Sequence, residues 1–149
     1  MGGDGPRECV LVVDDDPDHL FMLEAVLERL GYEVMTALSC AAGRAALQER
    51  HVDALIADLS LVDGTALDLL EGLDASHRPR VALVLSGFDT EEAVERSLRA
   101  GFAAHLVKPI AIDQLRDALV RGARRGPTRG IVRARSEQPP ASRPRRSAR

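Results

Sequence analysis

Five short aliphatic runs alternate with helix-like patterns along this chain, and that rhythm leaves it few folds to adopt. The runs span residues 9–13, 32–37, 52–57, 81–85 and 103–107. The first, Cys9–Val13, is partly β-branched with no polar interruption, so it reads as a strand buried on both faces, and the others read as further strands. After the first run, Asp16 and Pro17 suit a helix cap and first turn. Leu20, Leu23, Leu27 and Leu30 then recur at helical spacing until Gly31 stops the helix. Ser39 opens a second helix to about Arg50, and a third is expected over residues 65–74 after a turn at Asp63-Gly64. Asp89-Thr90-Glu91-Glu92 reads as a capping box for a helix to about Ala100, and Asp113 opens a last one to about Arg121. Five βα units with right-handed crossovers make an α/β domain: a doubly wound parallel sheet in three layers.

Length and composition agree. A chain of 149 residues is about one domain long. No apolar run approaches the roughly 18 residues of a membrane helix, and the first residues lack the apolar stretch of a signal peptide. Cys9 and Cys40 fall in separate elements with no metal spacing, so both are expected as buried, reduced thiols. On these features the protein is expected to be cytoplasmic. The net charge of −3 hides two opposed segments: residues 1–120 hold 22 acidic against 10 basic side chains, whereas 121–149 hold one acid, Glu137, and ten arginines. The domain is expected over 8–121, followed by a basic, Arg/Pro-rich tail over 122–149 without regular structure. Ile131 and Val132 are nearly its only large apolar residues. The tail is expected to be either a solvated extension or a contact for anionic surfaces.

In open α/β sheets ligands sit beyond the carboxyl ends of the strands. Waiting there are Asp14 and Asp15 after the first strand, Asp58 after the third, Ser86 after the fourth and Lys108 after the fifth. Two carboxylates about 4 Å apart repel by roughly 4 kcal/mol at an effective dielectric near 20, so three of them call for a cation. Mg²⁺ suits such oxygen donors together with a phosphate. Asp58 is then a candidate nucleophile forming an acyl phosphate, with Lys108 neutralising the transferred oxygens and Ser86 donating to one of them. Lys108 is the only lysine among 20 basic residues, a compact charge where a forked guanidinium would not fit.

Val10-Leu11-Val12-Val13-Asp14-Asp15-Asp16, Ala57-Asp58 through Asp63-Gly64, Ser86-Gly87 and Lys108-Pro109, in that order, resemble the receiver domains of two-component systems over roughly residues 8–121. The resemblance implies a flavodoxin-like (βα)5 fold with strand order 2-1-3-4-5. It implies that Asp58 is the phosphoacceptor, that Asp14 and Asp15 hold Mg²⁺ with the Ser60 backbone carbonyl, and that Lys108–Pro109 is cis. Ser86 would be the switch hydroxyl. His105 stands where many receivers carry an aromatic that swings inward on activation. Val62 and Ala66 depart from the usual Pro and Gly but spare the ligands.

The implied partners are a histidine kinase or histidine phosphotransfer protein and a downstream protein docking around residues 88–112. The protein would be a signalling phosphoacceptor rather than an enzyme acting on a separate substrate. No second folded domain is legible, so no DNA-binding output is expected. Two rivals fit less well. A haloacid-dehalogenase-type phosphatase would leave Asp58 unexplained and needs a later acidic pair on a strand. A docking-only receiver would lack an acid or the lysine. His19, His51 and His77 are expected to be solvated.

Overall fold

The computed structural model describes residues 7–87, 90–125 and 132–134 of the chain. Numbering every strand in chain order, the large sheet contains β1 (Cys9–Val13), β2 (Glu33–Ala37), β3 (Ala54–Asp58), β6 (Val81–Ser86), β7 (Ala104–Val107) and β8 (Val132–Ala134). Two-residue strands β4 (Ser60–Leu61) and β5 (Gly64–Thr65) form a separate antiparallel hairpin. The sheet runs β2-β1-β3-β6-β7-β8, every pairing parallel. Its first five strands, taken without the hairpin, have the expected 2-1-3-4-5 order.

The helices are α1 (Pro17–Arg29), α2 (Cys40–Glu49), α3 (Ala66–Leu70), α4 (Glu91–Arg99) and α5 (Ile112–Arg125). Strand periodicity divides the core between two layers. Cys9, Leu11 and Val13 of β1 join Leu47, Leu69 and Phe102 on one face, whereas Val10 and Val12 join Leu23, Leu27 and Leu115 on the other. Helices α1 and α5 thus cover one side, and α2 and α3 the opposite one. All five residues of β1 are buried, as an uninterrupted aliphatic run requires. Asp16 caps α1 by accepting from the Asp18 amide, with Pro17 in the first turn; Ser39 caps α2 and Thr90 caps α4 in the same way.

Three expectations change. The third helix does not run over 65–74: α3 stops at Leu70, and Gly72 follows at φ 99°, a left-handed backbone that breaks the helix before a short 3₁₀ turn at Ala75–His77. Gly122 does not begin the tail, because α5 continues to Arg125. The glycine is there for close approach, since a Cβ at that position would lie 2.7 Å from Val81 Cγ1. Nor is the tail wholly without regular structure. Val132–Ala134 pairs with β7, whose outer edge would otherwise present unpaired backbone groups. The remaining tail positions, 126–131 and 135–149, lie outside the described residues.

Candidate functional site

Parallel strands of similar length bring their carboxyl ends to one edge. Asp14 follows β1, with its amide bonded to the Ala37 carbonyl at 3.1 Å, and is almost fully buried. Asp58 closes β3, and the next amide, that of Leu59, donates to Leu85 of β6 at 2.7 Å. Oxygens of Asp14, Asp15 and Asp58 all lie within 4.8 Å of one another. Ser86 ends β6 and is buried, and its carbonyl accepts from the Lys108 amide at 2.8 Å. That bond carries Lys108, just past β7, to the acids: its Nζ lies 2.8 Å from Asp58 Oδ1. The Lys108–Pro109 peptide is cis. Ser60 begins the hairpin two residues beyond Asp58.

Burial pushes the Asp58 carboxyl above its ordinary range. Lys108 opposes that shift, while Asp14 and Asp15 add to it. The site is therefore an acid cluster only partly neutralised by its own lysine. Three hard oxygen donors at this spacing fit a small divalent cation such as Mg²⁺.

His105 is already turned into the protein and buried. Its Nδ1 meets Ser97 Oγ of α4 at 3.2 Å, and that hydroxyl also pairs with the Ala93 carbonyl at 3.0 Å. Which of the two groups donates in the His105–Ser97 pair follows the imidazole tautomer. The inward position that the resemblance reserved for the activated state is thus the one His105 adopts in this structure, because Ser97 satisfies the ring there.

His19 was expected in solvent, yet its Nδ1 hydrogen-bonds Asp14 Oδ2. Only its place in the first turn of a helix opening directly after the acids hinted at this. Asp63, read as part of a simple turn, reaches across to α2 and accepts from the amides of Cys40 (2.7 Å) and Ala41 (3.0 Å). His51 remains mostly exposed beside Asp53. Cys9 and Cys40 are free and buried, as expected.

The geometry defines a doubly wound α/β domain whose carboxyl edge gathers an acid cluster able to hold a cation, a buried hydroxyl and a lysine. Residues 10–120 match the response regulator receiver domain. The chain belongs to that family, the receiver domains of two-component systems, and is a signalling phosphoacceptor domain. It is 30% identical over 110 residues to the transcriptional regulatory protein ZraR of Salmonella typhimurium, covering 74% of this chain. It spans only 25% of that relative's length. A CheY-like receiver domain from Methanospirillum hungatei superposes with a TM-score of 0.71 at 27% identity, covering 81% of this chain and all of that one. A Burkholderia pseudomallei response regulator, solved with a phosphorylated aspartic acid and a calcium ion, has a TM-score of 0.71 at 25% identity. That match covers 79% of this chain and 69% of the other. Among the described residues no helix is long and apolar enough to cross a membrane.

Proposed function

We propose that this domain takes a phosphoryl group onto Asp58 from the phosphohistidine of a histidine kinase or phosphotransfer protein. The observation that carries this reading is the Asp58 carboxylate held 2.8 Å from Lys108 beside two further acids. One Asp58 oxygen forms the new P–O bond as the donor's N–P bond breaks, and the donor imidazole leaves with its electron pair and takes up a proton. Lys108 neutralises charge on the transferred oxygens, and Ser86 donates to one of them. Asp14, Asp15, Asp58 and the Ser60 carbonyl would hold Mg²⁺, which when bound offsets negative charge during transfer. Hydrolysis of the resulting acyl phosphate on the same site returns the domain to its starting state. The calcium ion and phosphorylated aspartate of the Burkholderia relative support this reading.

The output would be a change of docking surface, in residues about 88–112, for a downstream protein. Ser86 turning toward the phosphoryl group would disturb β6 and β7, and the His105–Ser97 hydrogen bond would pass that disturbance to α4. A cytoplasmic location completes the proposal, with an arginine-rich tail beyond α5 that serves either as a solvated extension or as a contact for anionic surfaces.

Incubation with acetyl phosphate and Mg²⁺ tests the chemistry without a kinase. Intact-mass measurement should find one added phosphoryl group, labile to hydroxylamine and absent from Asp58→Asn. Phosphate that persists in Asp58→Asn, or that maps to Ser86, would overturn the assignment.

A further inference from the structure

We propose that His19 is a positioning residue for the cation site: it fixes the rotamer of Asp14, and its loss weakens metal binding. The inference rests on the metal reading given above. It begins from how the Asp14 carboxylate is held. Oδ1 accepts from the Asp16 amide at 2.9 Å, and Oδ2 is bonded to His19 Nδ1. The two oxygens are tethered to two different groups, so the carboxylate plane has no freedom to rotate away from Asp15 and Asp58.

The imidazole is itself held rigidly. Asp16 caps α1 and Pro17 occupies its first turn, which sets the helical backbone at His19. The ring lines a groove of about 600 Å³ with Met22, Leu23, Pro109 and Ile112, and its side chain is only 21% exposed. Lys108 lines the same groove. The buried Asp14 and the partly buried Asp58 are therefore each gripped by a nitrogen-bearing side chain from this side, Asp58 by Lys108 and Asp14 by His19. His19 does not serve as a ligand in this arrangement. The ring nitrogen that faces the site is spent on Asp14, and among the described residues the cluster of mutually close donor atoms comprises the three carboxylates.

Hydrogen-bond partners of ligating groups orient those groups and are typically worth 10- to 100-fold in metal affinity. His19 meets that description. A histidine that merely packed in the apolar groove would matter through its shape instead, and the two roles predict opposite behaviour for two substitutions. His19→Phe keeps a flat ring in the groove and removes the donor. His19→Asn shortens the side chain but keeps an N–H donor near the Nδ1 position.

Mg²⁺ affinity is measured by calorimetry on the full chain and its two variants, with Mn²⁺ binding followed by electron paramagnetic resonance as a second readout. The chain has no tryptophan to report binding by its own fluorescence. Melting curves in metal-free buffer establish that each variant is folded. His19→Phe should bind Mg²⁺ about tenfold more weakly than the parent or worse, while His19→Asn recovers most of the affinity. The reverse order, or two variants that bind like the parent, overturns the proposal. A parent that binds neither ion fails at the earlier step and refutes the metal reading itself.

Discussion

Replacing Asp58 by Asn asks whether the acid cluster is under electrostatic strain before any cation binds. Asp58 faces two carboxylates whose nearest oxygens lie within 4.8 Å, and at an effective dielectric near 20 each full charge repels it by at least about 3.5 kcal/mol. Lys108 at 2.8 Å returns about 6 kcal/mol on the same scale. The residue of these opposed terms is a net cost on the order of 1 kcal/mol. Solvent at the lysine softens the attraction, and burial of Asp58 adds to the cost. The raised carboxyl pKa has the same sign, with burial as its largest cause and the two neighbouring acids as smaller ones. A folded value above the unfolded one, about 3.9, means that the contribution is fully present below that unfolded value and is lost as pH rises through the folded one. Metal-free Asp58→Asn should therefore melt above the parent at neutral pH by about 4 °C for each kcal/mol relieved. The margin should shrink on acidification toward pH ~4. Magnesium at about 100 times its dissociation constant should add roughly 2.7 kcal/mol to the parent and less to the variant. Paired thermal melts at several pH values, with and without Mg²⁺, measure both effects. A metal-free variant that melts several degrees below the parent would show that the Lys108 ion pair outweighs the repulsion, and the strain argument would fail.

Asp63→Ala should lower the melting temperature and Asp63→Asn should recover part of it, because the carboxylate serves two amides at the start of α2. Those amides hold the Asp63 pKa below its ordinary value, so the benefit exists above the unfolded carboxylate pKa and fades as pH falls through the folded one. Gly122→Val forces α5 off Val81 and should cost about 1–3 kcal/mol in urea unfolding. A silent substitution would mean that α5 can shift freely. Ser97→Ala removes the hydrogen-bond partner of His105 Nδ1 and should cost about 1–3 kcal/mol while leaving acetyl phosphate labelling intact. Loss of labelling would place that pair in the chemistry instead of downstream of it.

What could be read from the sequence was whatever backbone periodicity alone positions. A strand must end somewhere, and in a parallel sheet the residue after each end joins the same edge. Asp14, Asp58 and Ser86 could thus be placed without knowing a single side-chain angle, and Lys108 followed from the strand before it. The residues that escaped are those whose role depends on where a side chain turns. His19 lies in the first turn of α1, where it could as well have pointed to water; only its rotamer delivers Nδ1 to Asp14. Asp63 looked sufficient as a turn residue, and nothing local announces that it caps a helix 23 positions earlier. Gly122 failed for a related reason: a glycine reads as a stop when only its own segment is considered, and as a close contact once Val81 stands opposite. The pairing of Val132–Ala134 with β7 was invisible in the same way, since the tail's composition argues against order and only the open edge beside it argues for a strand. His105 marks the other boundary. Its position was legible, but whether it faces in or out depends on partners such as Ser97 one helix away, and that partner turns an expected movement into a hydrogen bond already made. In this receiver, then, a signal from Ser86 would have to act by loosening or shifting an existing β7–α4 tether, which makes α4 the element whose displacement should report phosphorylation.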